Sequence, residues 1–130
     1  MSKNRIPKST PEERRAQAEH FAIEAARLIA DLKCEDVLVV DVHGLSKVTD
    51  YIVIGTGTSA RQMHSVAEDI VELAGELGHV VFRANQERGS SWVVIDCVDV
   101  TVHMFDTETR AFYDLETLWI DGTRLKWARP

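Results

Sequence analysis

The chain alternates between stretches whose apolar residues recur at helical spacing and short runs of β-branched residues. Thr10-Pro11-Glu12-Glu13 forms a helix start, with Thr10 as cap, Pro11 at the first helical position and Glu13 closing a capping box. Behind it, Phe21, Ala25, Leu28, Ile29 and Leu32 fall on one face, which predicts a helix ending near Lys33. Asp36–Val42 (DVLVVDV) and Tyr51–Thr56 (YIVIGT) are nearly continuous apolar runs, the pattern of strands covered on both faces. Ser59-Ala60-Arg61-Gln62 offers a second capping box, and Val66, Ile70, Leu73 and Leu77 carry an apolar face to Gly78, a natural stop. Val80–Arg83 predicts a third strand and Gln86–Ser91 a loop. Trp92–Asp96 and Val100–Phe105 predict two more strands, joined tightly through Cys97-Val98-Asp99. Thr107–Trp119 reads as a final helix with a break near Asp114, and Phe112, Leu115, Leu118 and Trp119 have the spacing to pack on the sheet.

The resulting order is α-β-β-α-β-β-β-α. The helix between the second and third strands implies a right-handed parallel crossover, while the other connections are short enough for antiparallel pairing. An α/β fold follows, with a mixed, roughly five-stranded sheet flanked by helices. The 130 residues suit one domain, and a chain of that length buries about two thirds of its unfolded surface without metal or disulfide staples. Residues 1–9, polar and without periodicity, are expected to be a flexible leader, residues 10–119 the domain, and residues 120–130 a tail.

Composition narrows the setting. No apolar run reaches the ~18 residues of a membrane span. Lys3, Arg5 and Lys8 are followed by no apolar stretch of a secretory signal, so a cytoplasmic location is expected and no membrane partner. Cys34 and Cys97 are far apart, outside any CxxC pattern, and read as buried thiols. Six of the 15 basic residues but only Asp121 of the 21 acidic ones lie outside residues 10–119, which leaves that body with a net charge of −11. Such a body repels phosphate backbones, so no direct nucleic-acid specificity is expected, and it favours basic partners. The same charge also serves plain solubility.

Gly55-Thr56-Gly57-Thr58-Ser59 lies between a strand and a helix start, where backbone N–H groups can hold a phosphate. The spacing fits neither GxGxxG nor GxxxxGK[ST], and the plainer reading has both glycines making a tight turn while Ser59 caps. A nucleotidyl-transferring site would need paired carboxylates on one strand face to hold a divalent metal. Asp96 and Asp99 stand three apart across a turn, with Val98 between, and do not meet that need. His20, His43, His64, His79 and His103 show no metal spacing, and His103 reads as a satisfied sheet-face histidine. Asp50 is expected to hold its turn through an Asx-type bond. No catalytic residue, metal or cofactor is indicated. Trp92 starts a strand beside a polar loop, and Tyr113 and Trp119 share the last helix with Asp114 and Glu116. Aromatics among carboxylates suit a partner-facing patch, with Trp92 exposed and Trp119 mostly buried.

Four ordered blocks carry a resemblance: DYIVIGTGTSARQ (Asp50–Gln62), Trp92 with the Asp96/Asp99 strand turn, VHMF (Val102–Phe105) and RAFYDLETLW (Arg110–Trp119). Together they resemble the ribosomal silencing factor, or Iojap-like, family. Two positions depart from its pattern: Asn85-Gln86 replaces a common Glu-Gly, and Val98 replaces a common turn glycine, which suggests a less strained turn. The resemblance implies a nucleotidyltransferase-like fold without a catalytic site and a homodimer when free. It implies binding to the large ribosomal subunit at its ribosomal protein fourteen, blocking small-subunit joining and so repressing translation. Trp92, Asp96, Asp99, Tyr113 and Glu116 are the expected partner-binding residues. An adaptor in large-subunit assembly, and a nucleotide-binding or nucleotidyl-transferring enzyme, are the alternatives.

Overall fold

The computed structural model describes residues 10–85 and 90–130. Ten elements follow one another: α1 (Pro11–Asp31), β1 (Glu35–Asp41), β2 (Tyr51–Thr56), α2 (Ala60–Glu76), β3 (Arg83–Asn85), β4 (Trp92–Asp96), β5 (Val100–Phe105), α3 (Thr107–Tyr113), α4 (Leu115–Leu118) and β6 (Thr123–Leu125). The strands form one mixed sheet in the order β3-β4-β5-β2-β1-β6. Only β2 and β5 pair in parallel, with Tyr51 opposite Val100 and Thr56 opposite Phe105; the other neighbours are antiparallel.

The helix starts form as the sequence predicts. Thr10 Oγ1 accepts the Glu13 N–H at 3.1 Å while Glu13 Oε1 accepts the Thr10 N–H at 2.8 Å, a reciprocal box that satisfies donors the helix cannot. Ser59 Oγ accepts the Gln62 N–H at 3.0 Å, but the Gln62 side chain turns to the Thr58 N–H and the Leu32 carbonyl instead of closing the box. Along α1 the buried face is Ala18, Phe21, Ala22, Ala25, Ala26 and Ile29. Four alanines let the helix axis approach the sheet closely, and Phe21 fills the remaining depth. Met63, Val66, Ala67, Ile70 and Ala74 do the same for α2. Both helices cover one face of the sheet, where Val39, Tyr51, Val53, Val93, Ile95, Val102 and Met104 complete the main core. The opposite face is covered only in part, by a smaller cluster of Val40, Val42, Ile52, Ile54 and Phe105 with Leu38, Trp92, Leu115 and Trp119 packed on it. Every residue of β2 is buried, as its unbroken apolar run requires.

Three expectations need correction. The sheet has six strands rather than about five, because Thr123–Leu125, assigned to a tail, pairs with β1. That segment is fastened by Trp127, whose Nε1–H donates to the Val37 carbonyl at 3.0 Å and whose own carbonyl accepts from Arg27 Nε at 2.6 Å. The third strand lies at Arg83–Asn85 rather than Val80–Arg83, at the exposed sheet edge, where Val80 and Phe82 stay open to solvent. The crossover through α2 does reach a strand running parallel to β2, but β5 and β4 lie between them. The C-terminal helix does break at Asp114, which takes a left-handed backbone (φ 48, ψ 52). Across the break, Leu115 and Trp119 pack on the sheet while Phe112, before it, and Leu118, after it, point outward, against expectation. The predicted leader (residues 1–9) and most of the predicted Gln86–Ser91 loop lie outside the described residues.

Candidate functional site

The two-residue alternation of β4 and β5 places Val93, Ile95, Val102 and Met104 against the helices and turns Trp92, Val94, Asp96, Thr101 and His103 to the half-covered face. Register aligns Trp92 with Phe105, Val94 with His103 and Asp96 with Thr101. Trp92 is half-buried there rather than exposed. Its ring stacks on Phe105 (centroids 4.9 Å apart, planes at 29°) and meets Tyr113 of α3 at 4.5 Å. Tyr113 in turn takes the edge of Phe112 at 5.0 Å and 89°. Offset and edge contacts of this kind add to area burial and hold rings at fixed angles. The Trp92 indole N–H donates to His103 Nδ1 at 3.1 Å. That bond requires a neutral imidazole with its proton on Nε2, and burial pushes the His103 pKa down to about 4.

Several large apolar side chains after β5 are exposed. Phe112 is 80 % exposed, Tyr113 52 %, Leu118 67 % and Ile120 66 %. These four residues come from one short stretch after β5, and Phe112 and Tyr113 touch one another, the kind of apolar cluster that serves interaction surfaces. Glu108, Asp114 and Glu116 are interspersed with them in sequence.

The five residues expected to bind a partner therefore separate. Trp92, Asp96 and Tyr113 lie on or beside the half-covered face. Asp96 Oδ1 also accepts the Val98 N–H at 2.8 Å, which ties the tight β4–β5 turn. Asp99 turns away: both carboxylate oxygens are held by Arg14 of α1, at 2.8 and 3.1 Å. Its carbonyl accepts from the Asp50 and Tyr51 N–H groups at 3.0 Å, so the residue fastens the edge of the core. Glu116 pairs with buried Arg110 at 3.1 Å. Sequence spacing could not show this pair, because six residues apart is not a helical contact and only the Asp114 break brings the two together. The departure at Val98 also runs opposite to expectation. Val98 has φ 69, a left-handed backbone that a β-branched residue adopts only under strain.

The glycine loop is a packing device. Neither Gly55 nor Gly57 has a positive φ, so a tight turn is not what they supply. A Cβ on Gly57 would stand 2.1 Å from Met63 Cγ, and one on Gly55 would stand 2.8 Å from Ile29 Cδ1. The Gly57 N–H donates to the Phe105 carbonyl at 2.7 Å and the Thr58 N–H to Gln62 Oε1 at 3.1 Å, which removes two of the donors a phosphate would need. Asp96 and Asp99 point to different partners and do not form a carboxylate pair. Asp50 binds the His43 ring at 3.0 Å; the Asx-type bond predicted for it is made by Asp41, whose Oδ1 accepts the His43 N–H at 2.9 Å.

A groove of about 600 Å³ lies at the start of α1, lined by Pro11, Glu12, Arg14, Arg15, His43, Asp50 and Asp99. Several of its polar groups already hold one another, Arg14 with Asp99, Arg15 with Asp41 and the His43 ring with Asp50. A charged ligand would have to break those pairs, which leaves the groove a weak candidate. Among the described residues no group of three His, Cys, Asp or Glu side chains is placed to hold a metal ion. Cys34 and Cys97 are free and buried, and burial raises both thiols, that of Cys97 to about 11. Among the described residues no helix is long and apolar enough to cross a membrane.

Fold and surface together define an α/β domain with one closed core and one aromatic sheet face left half open. Comparison with known proteins gives the family. Residues 15–129 match the family described as "Ribosomal silencing factor during starvation", and the chain belongs to it. It is 38 % identical over 98 residues to "Ribosomal silencing factor RsfS" of Bacillus subtilis, spanning 75 % of this chain and 83 % of that one. A mouse relative, "Mitochondrial assembly of ribosomal large subunit protein 1", is 30 % identical over 95 residues, 71 % of this chain and 42 % of that one. The X-ray structure of a Chromobacterium violaceum protein superposes with a TM-score of 0.70 at 29 % identity, covering 88 % of this chain and 92 % of that one.

Proposed function

We propose that this protein binds the large ribosomal subunit at its ribosomal protein fourteen and sterically prevents the small subunit from joining, so repressing translation. The observation that carries the reading is the aromatic face, Trp92 with Tyr113 and Phe112, on a chain of this family. Occlusion needs no chemistry, only an affinity for the large subunit that outcompetes the small one. The acidic body suits a basic ribosomal protein, and charge complementarity of that kind acts mainly on encounter and orientation. Asp96, on the same sheet face but at the other end of β4 from Trp92, is the carboxylate proposed to contribute. The protein works in the cytoplasm, as a homodimer when free, without catalytic turnover or a cofactor. The name of the mouse relative favours a second reading, an adaptor in large-subunit assembly, which would use the same face at an earlier stage.

Sedimentation of the purified chain with separated subunits tests both. Co-sedimentation with mature large subunits and inhibition of subunit rejoining in proportion to occupancy are expected. Binding confined to immature large particles would favour the adaptor, and binding to the small subunit alone would remove the occlusion mechanism. Asp96→Lys should weaken binding, with an effect that shrinks as salt shortens the Debye length from about 10 Å at 0.1 M toward about 3 Å at 1 M.

A further inference from the structure

Arg110 is the one buried charged side chain among the described residues. Its Nη1 donates to the Asp36 carbonyl and to Thr56 Oγ1, each at 2.8 Å, and its Nε donates to Glu116 Oε2 at 3.1 Å. Those acceptors belong to the start of β1, the end of β2 and α4. Asp36 lies within the register irregularity of β1 against β2 and has φ 50, and its carbonyl accepts from this side chain. On its own helix, the Arg110 carbonyl accepts the Asp114 N–H at 2.9 Å, the left-handed residue that joins α3 to α4. One residue thus fixes where α3 docks on the sheet and how the chain turns out of it. Two and three positions further on stand Phe112 and Tyr113, and the Tyr113 ring meets Trp92.

Energetics separate direction from stability. An ion pair taken out of water gains little net free energy, because desolvation offsets attraction. Glu116 Oε1 is buried with no hydrogen-bond donor among the described residues, so the pair is half satisfied. What a guanidinium supplies in such a place is a rigid planar fork whose donors leave at fixed angles.

We propose that Arg110 and Glu116 are positioning residues for the aromatic face. The guanidinium sets α3 and α4 at the angle that lays Tyr113 on Trp92, and Glu116 acts through Arg110 without touching the partner. This rests on the reading that the Trp92–Tyr113 face receives the large subunit.

The test uses the full chain as Glu116→Ala, Glu116→Gln, Tyr113→Ala, Glu116→Ala/Tyr113→Ala, Trp92→Ala and Trp92→Phe. Two quantities are read: co-sedimentation with purified large subunits, and the part of the near-ultraviolet circular dichroism that Trp92→Phe removes. Glu116→Ala should lose most of that spectral signal and about tenfold in affinity, while Glu116→Gln, whose amide oxygen still accepts from Nε, should keep both. In the Tyr113→Ala background, Glu116→Ala should cost less than about threefold, since the route through Tyr113 is already gone. Full additivity with an unchanged spectrum would mean that Glu116 touches the partner directly and would overturn the inference. So would unchanged affinity in Glu116→Ala while Tyr113→Ala binds weakly, an outcome that leaves the aromatic face itself intact. If Tyr113→Ala and Trp92→Ala both bind like the parent chain, the face is the wrong surface and the inference falls with it.

Discussion

Replacing Trp92 with alanine should weaken the fold and the partner complex by different routes, and the structure gives each a size. A fully buried aromatic truncated to alanine costs roughly 3–5 kcal/mol. Trp92 is half-buried, with one ring face on Phe105 at 4.9 Å and contact with Tyr113 at 4.5 Å. About half that range, near 2 kcal/mol, is the expected loss of stability, with the ring contacts included in it. For a domain of this size, that lowers Tm by about 6–10 °C. Trp92→Phe keeps an aromatic ring against Phe105 but loses part of the indole's packing and the N–H bond to His103, the bond alone worth about 1 kcal/mol. If Trp92 anchors the interface, its truncation costs a further ~2 kcal/mol or more in binding, close to a thirtyfold rise in Kd. Thermal melting by far-ultraviolet circular dichroism and sedimentation with large subunits should be run on both variants, with binding measured well below the lower melt. An unshifted Tm for Trp92→Ala would refute the packing argument. Unchanged Kd in the folded variant would refute the anchor.

Three other outcomes follow from the structure. Val98→Gly should raise stability by about 1 kcal/mol, because relief of a left-handed β-branched residue exceeds the added backbone entropy; a lower Tm would show the turn is not strained. The His103 side chain is lowered to a pKa of about 4 from about 6.5, so the unfolded chain takes up its proton first. Its contribution is therefore full above pH 6.5 and declines as pH falls toward 4, and chemical denaturation of His103→Gln should show a shallower loss across that window than the parent chain; equal slopes would contradict the assignment. Gly57→Ala should destabilise by about 1–3 kcal/mol through overpacking against Met63, and addition of inorganic phosphate should leave the melting of the parent chain unchanged. Protection by phosphate would revive the anion-loop reading.

Much of this fold was legible from periodicity alone, because long regular elements advertise themselves. The capping residues Thr10 and Ser59, the Asp114 break and the buried run of β2 all follow from local chemistry. The three-residue strands β3 and β6 did not, since a segment that short has no period to read. Phe112 and Leu118 were misplaced for a related reason: the left-handed Asp114 stands between them, so no single helical phase spans residues 107–119. At the site, the aromatic and acidic composition drew attention to the stretch that carries the exposed Phe112 and Tyr113. It could not separate carboxylates that meet internal arginines, Asp99 and Glu116, from Asp96, because Arg14 and Arg110 reach them across distances that only the folded chain defines. The signal for Arg110 was present as a lone arginine inside an aromatic block, but its meaning depended on the break that follows it.

The strand order has a consequence for how the chain acquires its structure. The sheet's parallel core joins β2 to β5, and its far edge joins β1 to β6, with Arg27 reaching Trp127 across a separation of 100 residues. Closing such loops costs entropy before the contacts reward it, and topologies of this kind fold slowly. During synthesis, β1, β2 and α1 emerge long before the strands that complete them. They must wait with β2, apolar at nearly every position, open to solvent. Thr123–Leu125 and Trp127 can seat on β1 only after the central strands have been made, so the β1 edge of the sheet closes after its centre.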